Sequence, residues 1–133
     1  MKNEKKQQRE YVAFEGEKFT IEWYFDNKGK SISLEYLESL DDEEQAKLFE
    51  LMKLMGNTGA IKNKTKFRNE GDKIYTFKPQ PHRSLCFFFE GQKIIVTNSF
   101  HKKTDKLPKN EKERALKIKA DYEIRVKRGD YYE

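Results

Sequence analysis

Between Lys73 and His101 the chain places three β-type segments in immediate succession, and this run leaves few folds open. Lys73 to Lys78 is closed by Pro79 and Pro81, His82 to Phe89 turns at Glu90-Gly91-Gln92, and Lys93 to His101 follows at once. The short glycine-containing link makes the last two an antiparallel hairpin, because a parallel connection needs a long crossover. A basic sheet is the result. From Lys62 to Lys103 ten lysines and arginines face only Glu70, Asp72 and Glu90, which leaves +7, more than the +5 of the whole chain. Both histidines, His82 and His101, lie in the same stretch. Such a surface suits a polyphosphate partner.

The segments before the sheet change period. Phe19, Ile21, Trp23 and Phe25 alternate onto one face of an opening strand, which Asn27-Lys28-Gly29 ends with a turn. Ser31 or Ser33 then caps a short helix through about Leu40. Asp41, three residues before Glu44, caps a second helix, in which Leu48, Leu51, Met52 and Met55 fall at helical spacing and Gly56 or Gly59 is the stop. Seven acids between Glu35 and Glu50 oppose Lys47 alone, so acidic helices precede a basic sheet. After Leu107-Pro108, Asn110 and Glu113 mark the start of a final helix with Ala115, Ile118, Tyr122 and Arg125 on one side. Residues 1–18 are expected as a flexible or partly ordered arm, 19–128 as a single domain, and 129–133 as a frayed tail. The class is α+β: a small mixed or antiparallel sheet with two N-terminal helices and one C-terminal helix.

Composition removes several function classes. At 133 residues one core is expected, and ten Phe, seven Tyr and one Trp can build it despite a charged fraction of 38%. Cys86 is the single cysteine, so neither an internal disulfide nor a multi-cysteine zinc site is available. The basic sheet is poor in carboxylates, and two histidines nineteen residues apart make a weak ligand pair, so no metal is expected. The longest apolar run, Leu85 to Phe89, is too short for a bilayer, and the first ten residues have no hydrophobic leader. A cytoplasmic, soluble protein is expected, with neither membrane nor cofactor.

Five groups of residues, in order, carry a resemblance. They are Ile21-Glu22-Trp23-Tyr24 with Gly29-Lys30-Ser31; Leu34 to Leu40; Gln45-Ala46-Lys47 to Gly56; Arg83 to Phe89 with Gly91; and Phe100-His101-Lys102-Lys103-Thr104 leading to Lys106-Leu107-Pro108 and Glu113. In this order and spacing the chain resembles the RelE/HigB superfamily of type II toxins, in its HigB-like, phage-derived branch, over about residues 19–125. Two positions depart from that pattern. Ile32 stands where relatives have proline. Lys78 stands where they often carry arginine, which keeps the charge but gives up the bidentate fork.

The resemblance implies a RelE-like fold and a metal-independent endoribonuclease. Its substrate would be mRNA on the ribosome, its products would carry 2′,3′-cyclic phosphates, and a cognate antitoxin, which acidic or helix-turn-helix character would suit, would silence it. Such chemistry requires a base for the 2′-proton, cations for the phosphate charge and an acid for the leaving 5′-oxygen. Arg83, opening a strand that then turns apolar, is expected to clamp the scissile phosphate. His101 and Lys103 share a strand face and are catalytic candidates, as is His82, although a regular strand points it away from Arg83. Lys64, Lys66 and Arg68, expected in an irregular loop, and Lys78 and Lys102 are expected to hold RNA. The alternatives are a non-catalytic nucleic-acid-binding module and a phage-derived module that engages a host protein on the same fold.

Overall fold

The computed structural model describes residues 10–132 as a six-stranded sheet with helices on both faces. The elements are β1 (Val12–Glu15), β2 (Thr20–Trp23), α1 (Ile32–Glu38), α2 (Asp42–Thr58), β3 (Phe67–Gly71), β4 (Ile74–Phe77), β5 (His82–Phe89), β6 (Lys93–His101) and α3 (Lys109–Arg128). Strand order is β1-β2-β6-β5-β4-β3. Only β2 and β6 pair in parallel, with Ile21 opposite Ile94 and Trp23 opposite Val96; the other pairs are antiparallel. The sheet is therefore mixed, one of the two forms expected for this α+β chain.

Two cores explain why β5 and β6 carry nearly unbroken buried runs: both faces are covered. Ile21, Trp23, Phe77, Cys86, Ile94 and Val96 pack under α1 and α2 against Leu37, Leu48, Met52 and Met55. On the opposite face Leu85, Phe87, Ile95 and Ile74 meet Ala115, Ile118 and Tyr122 of α3. The helices begin where local chemistry dictates. The Ser31 hydroxyl accepts from the Leu34 amide at 3.2 Å, and the Asp41 carboxylate accepts from Glu44 at 2.9 Å. Gly59, at φ 84°, closes α2. Among the described residues no helix is long and apolar enough to cross a membrane.

Three expectations change. The sheet begins inside the segment expected as an arm: Val12 pairs with Glu22 and Glu15 with Thr20. The β1–β2 connection docks on the end of α2, where Lys18 and Phe19 amides donate to the Gly56 carbonyl at 2.7 and 3.0 Å. A Cβ on Gly16 would lie 2.3 Å from the Gly56 backbone, so this approach needs glycine. Residues 1–9 of the expected arm lie outside the described residues. At the other end the expected frayed tail is anchored, because Tyr131 is only 1% exposed among Tyr11, Tyr24 and Tyr122. Finally, the irregular loop expected around Arg68 is strand β3, paired with β4 through Phe67↔Phe77 and Arg68↔Thr76. Its polar sequence hid it, since an edge strand needs only one apolar face.

Candidate polyphosphate-binding site

β5 alternates across the sheet, and this alternation separates the two groups that the sequence places side by side. Arg83 points to the α3 face and His82 to the α1–α2 face. The Arg83 guanidinium is held in place by Nη1 donating to the His82 carbonyl at 2.9 Å and by Nη1 and Nη2 donating to Gln80 Oε1 at 3.3 Å. Around it stand Arg68 from β3, Lys78 just after β4, and Lys102 just after β6, above a floor formed by Thr76 and Phe100. The recess adjoins a groove of about 490 Å³ that shares Lys106 with it and adds Lys109 and Lys112 from the start of α3. Across the two, Arg68, Lys78, Arg83, Lys102, Lys106, Lys109 and Lys112 share the lining with Glu70 and Asp105, and Lys112 also pairs with Asp72 at 2.9 Å.

The electrostatics follow from this crowding. Burial, and then the Arg83 and Arg68 charges, push the Lys78 ammonium below its usual range, and Glu70 offsets this only partly. Burial also lowers Arg83, against the opposing pull of Glu70 and Asp105. Asp105 is held below the usual carboxylate range by the hydrogen bond from Lys102, at 3.0 Å. Like charges forced together out of water favour any ligand that brings the opposite sign. A phosphodiester is such a ligand, and Arg83 presents to it the planar fork that binds phosphate oxygens in pairs.

The histidines sit elsewhere. His82 and His101 are cross-strand partners with ring centroids 5.5 Å apart on the α1–α2 face. His82 is 5% exposed, and both of its ring nitrogens are engaged. Nε2 lies 3.0 Å from the Glu44 carboxylate, which accepts its proton, so in the neutral ring Nδ1 accepts from the Tyr36 hydroxyl at 2.6 Å. Burial and the Glu44 charge keep that tyrosine proton in place by raising its pKa. The exposed His101 ring donates from Nδ1 to the Lys102 carbonyl at 2.9 Å. His82→Ala is expected to cost about 1–3 kcal/mol, because it leaves the Tyr36 and Glu44 groups unpaired. Denaturant unfolding would measure this loss.

Of the residues named from the sequence, the structure thus brings together Arg68, Lys78, Arg83 and Lys102. Lys103 is exposed outside the recess, Lys66 lines a separate recess with Lys47 and Glu50, and Lys64 lies on the far side of β3. Glu70, Thr76, Phe100, Lys106, Lys109 and Lys112 were not foreseen. One signal pointed to Lys109: a lysine in the first turn of a helix opposes its dipole, which an external anion would compensate, whereas Lys112 is answered by Asp72 at 2.9 Å. Among the described residues no group of three or more His, Cys, Asp or Glu side chains is arranged to hold a metal.

The family model described as phage derived protein Gp49-like matches residues 35–120, well over half of the chain. No curated protein matches the sequence. A crystal structure of the archaeal RelE–RelB complex from Pyrococcus horikoshii OT3 is similar at TM-score 0.48 and 11% identity, over 63% of this chain and 94% of that one. The family match covers α1 through most of α3, including Arg68, Lys78, Arg83 and Lys102. It agrees with the phage-derived origin that the motif order in the sequence implies. The chain belongs to the phage-derived Gp49-like family.

Proposed function

We propose that this protein is the toxin of a type II toxin–antitoxin pair and cleaves ribosome-engaged mRNA without a metal. The observation that carries this reading is the convergence of Arg68, Lys78, Arg83 and Lys102 on one recess beside an open basic groove. In the proposed reaction the ribose 2′-oxygen bonds to the adjacent phosphorus and the bond from phosphorus to the 5′-oxygen breaks, leaving a 2′,3′-cyclic phosphate. Arg83 holds the non-bridging oxygens as their charge grows. Lys78, whose ammonium is disfavoured by its neighbours, gives its proton to the departing 5′-oxygen. Glu70, fixed by the Thr76 hydroxyl at 2.6 Å, is the carboxylate available to take the 2′-proton. Silencing by an antitoxin that covers the basic groove rests on the family resemblance.

A second reading has its own support. Both histidines lie on the opposite face of the sheet, so the recess has no group with a naturally near-neutral pKa, as a non-catalytic RNA-binding module would allow. Primer extension on an mRNA in a reconstituted translation reaction separates the two. New 5′ ends that require both the protein and translating ribosomes are the expected result. Intact RNA that is bound but uncut would establish the binding module instead.

A further inference from the structure

Arg68 lines a third recess, on the other side of the sheet edge. β3 is the terminal strand, and its alternation sends Arg68 toward the Arg83 recess and Phe67 toward the opposite face. There Phe67 and Tyr75 lie parallel, 10° between planes and 5.7 Å between centroids, and Phe88 meets Tyr75 edge-on, 82° between planes and 5.0 Å between centroids. Ile61, Lys62 and Lys64 complete an open recess of about 480 Å³ around Phe67, Arg68 and Tyr75, and no acidic side chain lines it. Tyr75 is half-buried and Phe88 is 36% exposed. Phe67 is buried, so the ring surface left to solvent belongs to Tyr75 and Phe88.

The segment carrying the two lysines is physically tied to the candidate active site. The Lys78 ammonium donates to the Lys64 carbonyl at 3.2 Å, and the Lys78 amide donates to the Lys66 carbonyl at 2.8 Å. Asn63 orders the turn between them by accepting from the Thr65 amide at 2.9 Å and from its hydroxyl at 2.7 Å. Lys62 and Lys64 are therefore held beside the aromatic row, with Arg68 common to both recesses.

We infer a second subsite here for single-stranded RNA, in which an unpaired base stacks on the Tyr75 row while Lys62 and Lys64 grip the phosphates on either side. The strand then crosses the β3 edge, and Arg68 serves both recesses. This rests on the RNA reading of the Arg83 recess and extends it to the length of strand bound. Aromatic faces flanked by lysines suit a base with its backbone, whereas an acidic peptide would gain from the lysines alone.

The test is equilibrium binding of fluorescein-labelled oligouridylates of four and twelve nucleotides to the full chain at several salt concentrations. Three proteins are compared with the native one: Tyr75→Ala, the exposed pair Lys62→Gln/Lys64→Gln, and Arg83→Ala. For the twelve-mer, Tyr75→Ala should weaken binding about tenfold, and the lysine pair should lower the salt slope by about 1.4. The four-mer, which the Arg83 recess can hold alone, should lose affinity mainly with Arg83→Ala. Should Tyr75→Ala unfold the chain, the lysine pair decides on its own, since both positions are exposed. Twelve-mer binding weakened by Arg83→Ala but unchanged by the other variants would overturn the second subsite and leave the first reading standing. No binding of either oligonucleotide by the native chain would overturn the second subsite, while the first reading is decided by the primer extension with translating ribosomes.

Discussion

Arg83→Ala is expected to reduce mRNA cleavage by about 10²–10³ fold, the usual effect of removing one preorganised donor from a growing anionic charge. Arg83 is 8% exposed, and its guanidinium is held by the His82 carbonyl and Gln80 while it lines the recess, so it is positioned before any ligand arrives. Preorganisation is what makes its removal costly, because a solvent-exposed arginine would already have been screened. Arg83→Lys should recover only part of the loss, since an ammonium keeps the charge without the fork. Timed primer extension in the reconstituted translation reaction measures both variants. The crowding around Lys78 sets a further condition. Removing Arg83 relieves one cause of the lowered Lys78 pKa, so the variant's Lys78 becomes a weaker acid as well. Cleavage by Arg83→Ala at the native rate would exclude the recess as the reacting site.

Tyr131→Ala should destabilise the fold by about 3–5 kcal/mol, in the range for emptying a large aromatic site. The ring stacks at 18° on Tyr24 and packs edge-on against Tyr122, with the Arg125 guanidinium 4.8 Å from its centroid. Its hydroxyl accepts from the Phe25 amide at 2.9 Å, so truncation also strands a buried backbone donor beside β2. Tyr131→Phe isolates that last contribution, expected at about 1–2 kcal/mol. Denaturant midpoints measure both variants. Burial raises the phenol pKa of Tyr24, Tyr131 and Tyr132, and pushes Tyr122 up to about 12. A raised folded-state pKa stabilises fully below the unfolded value and is lost as pH rises through the folded one. Stability should therefore fall as pH climbs above about 10, and an unchanged midpoint there would contradict the buried tyrosine cluster.

Local chemistry made much of this chain legible before folding. The buried stripe of α3 is the one its periodicity gives, Ala115, Ile118, Tyr122 and Arg125. Asp41 caps α2, and the β5–β6 hairpin turns at Gly91, because caps, periods and tight turns depend on residues only a few positions apart. The basic character of the site was visible in the same way, since charge is additive along a sequence.

What the tertiary structure alone decided is which of those charges meet. Arg68, Lys78, Arg83 and Lys102 come from four strands or their ends, and only the order β6-β5-β4-β3 sets them around one recess. The same pairing carries His82 and His101 to the opposite face, because alternation fixes that neighbours diverge but not which face a helix will cover. β3 and the anchored Tyr131 were hidden for a related reason. One is a polar edge that is a strand only beside β4, and the other is a terminal ring that is buried only because Tyr11, Tyr24 and Tyr122 arrive from distant elements. Sequence determines the pieces whose partners are near along the chain, and the sheet decides the rest by bringing together partners that are not.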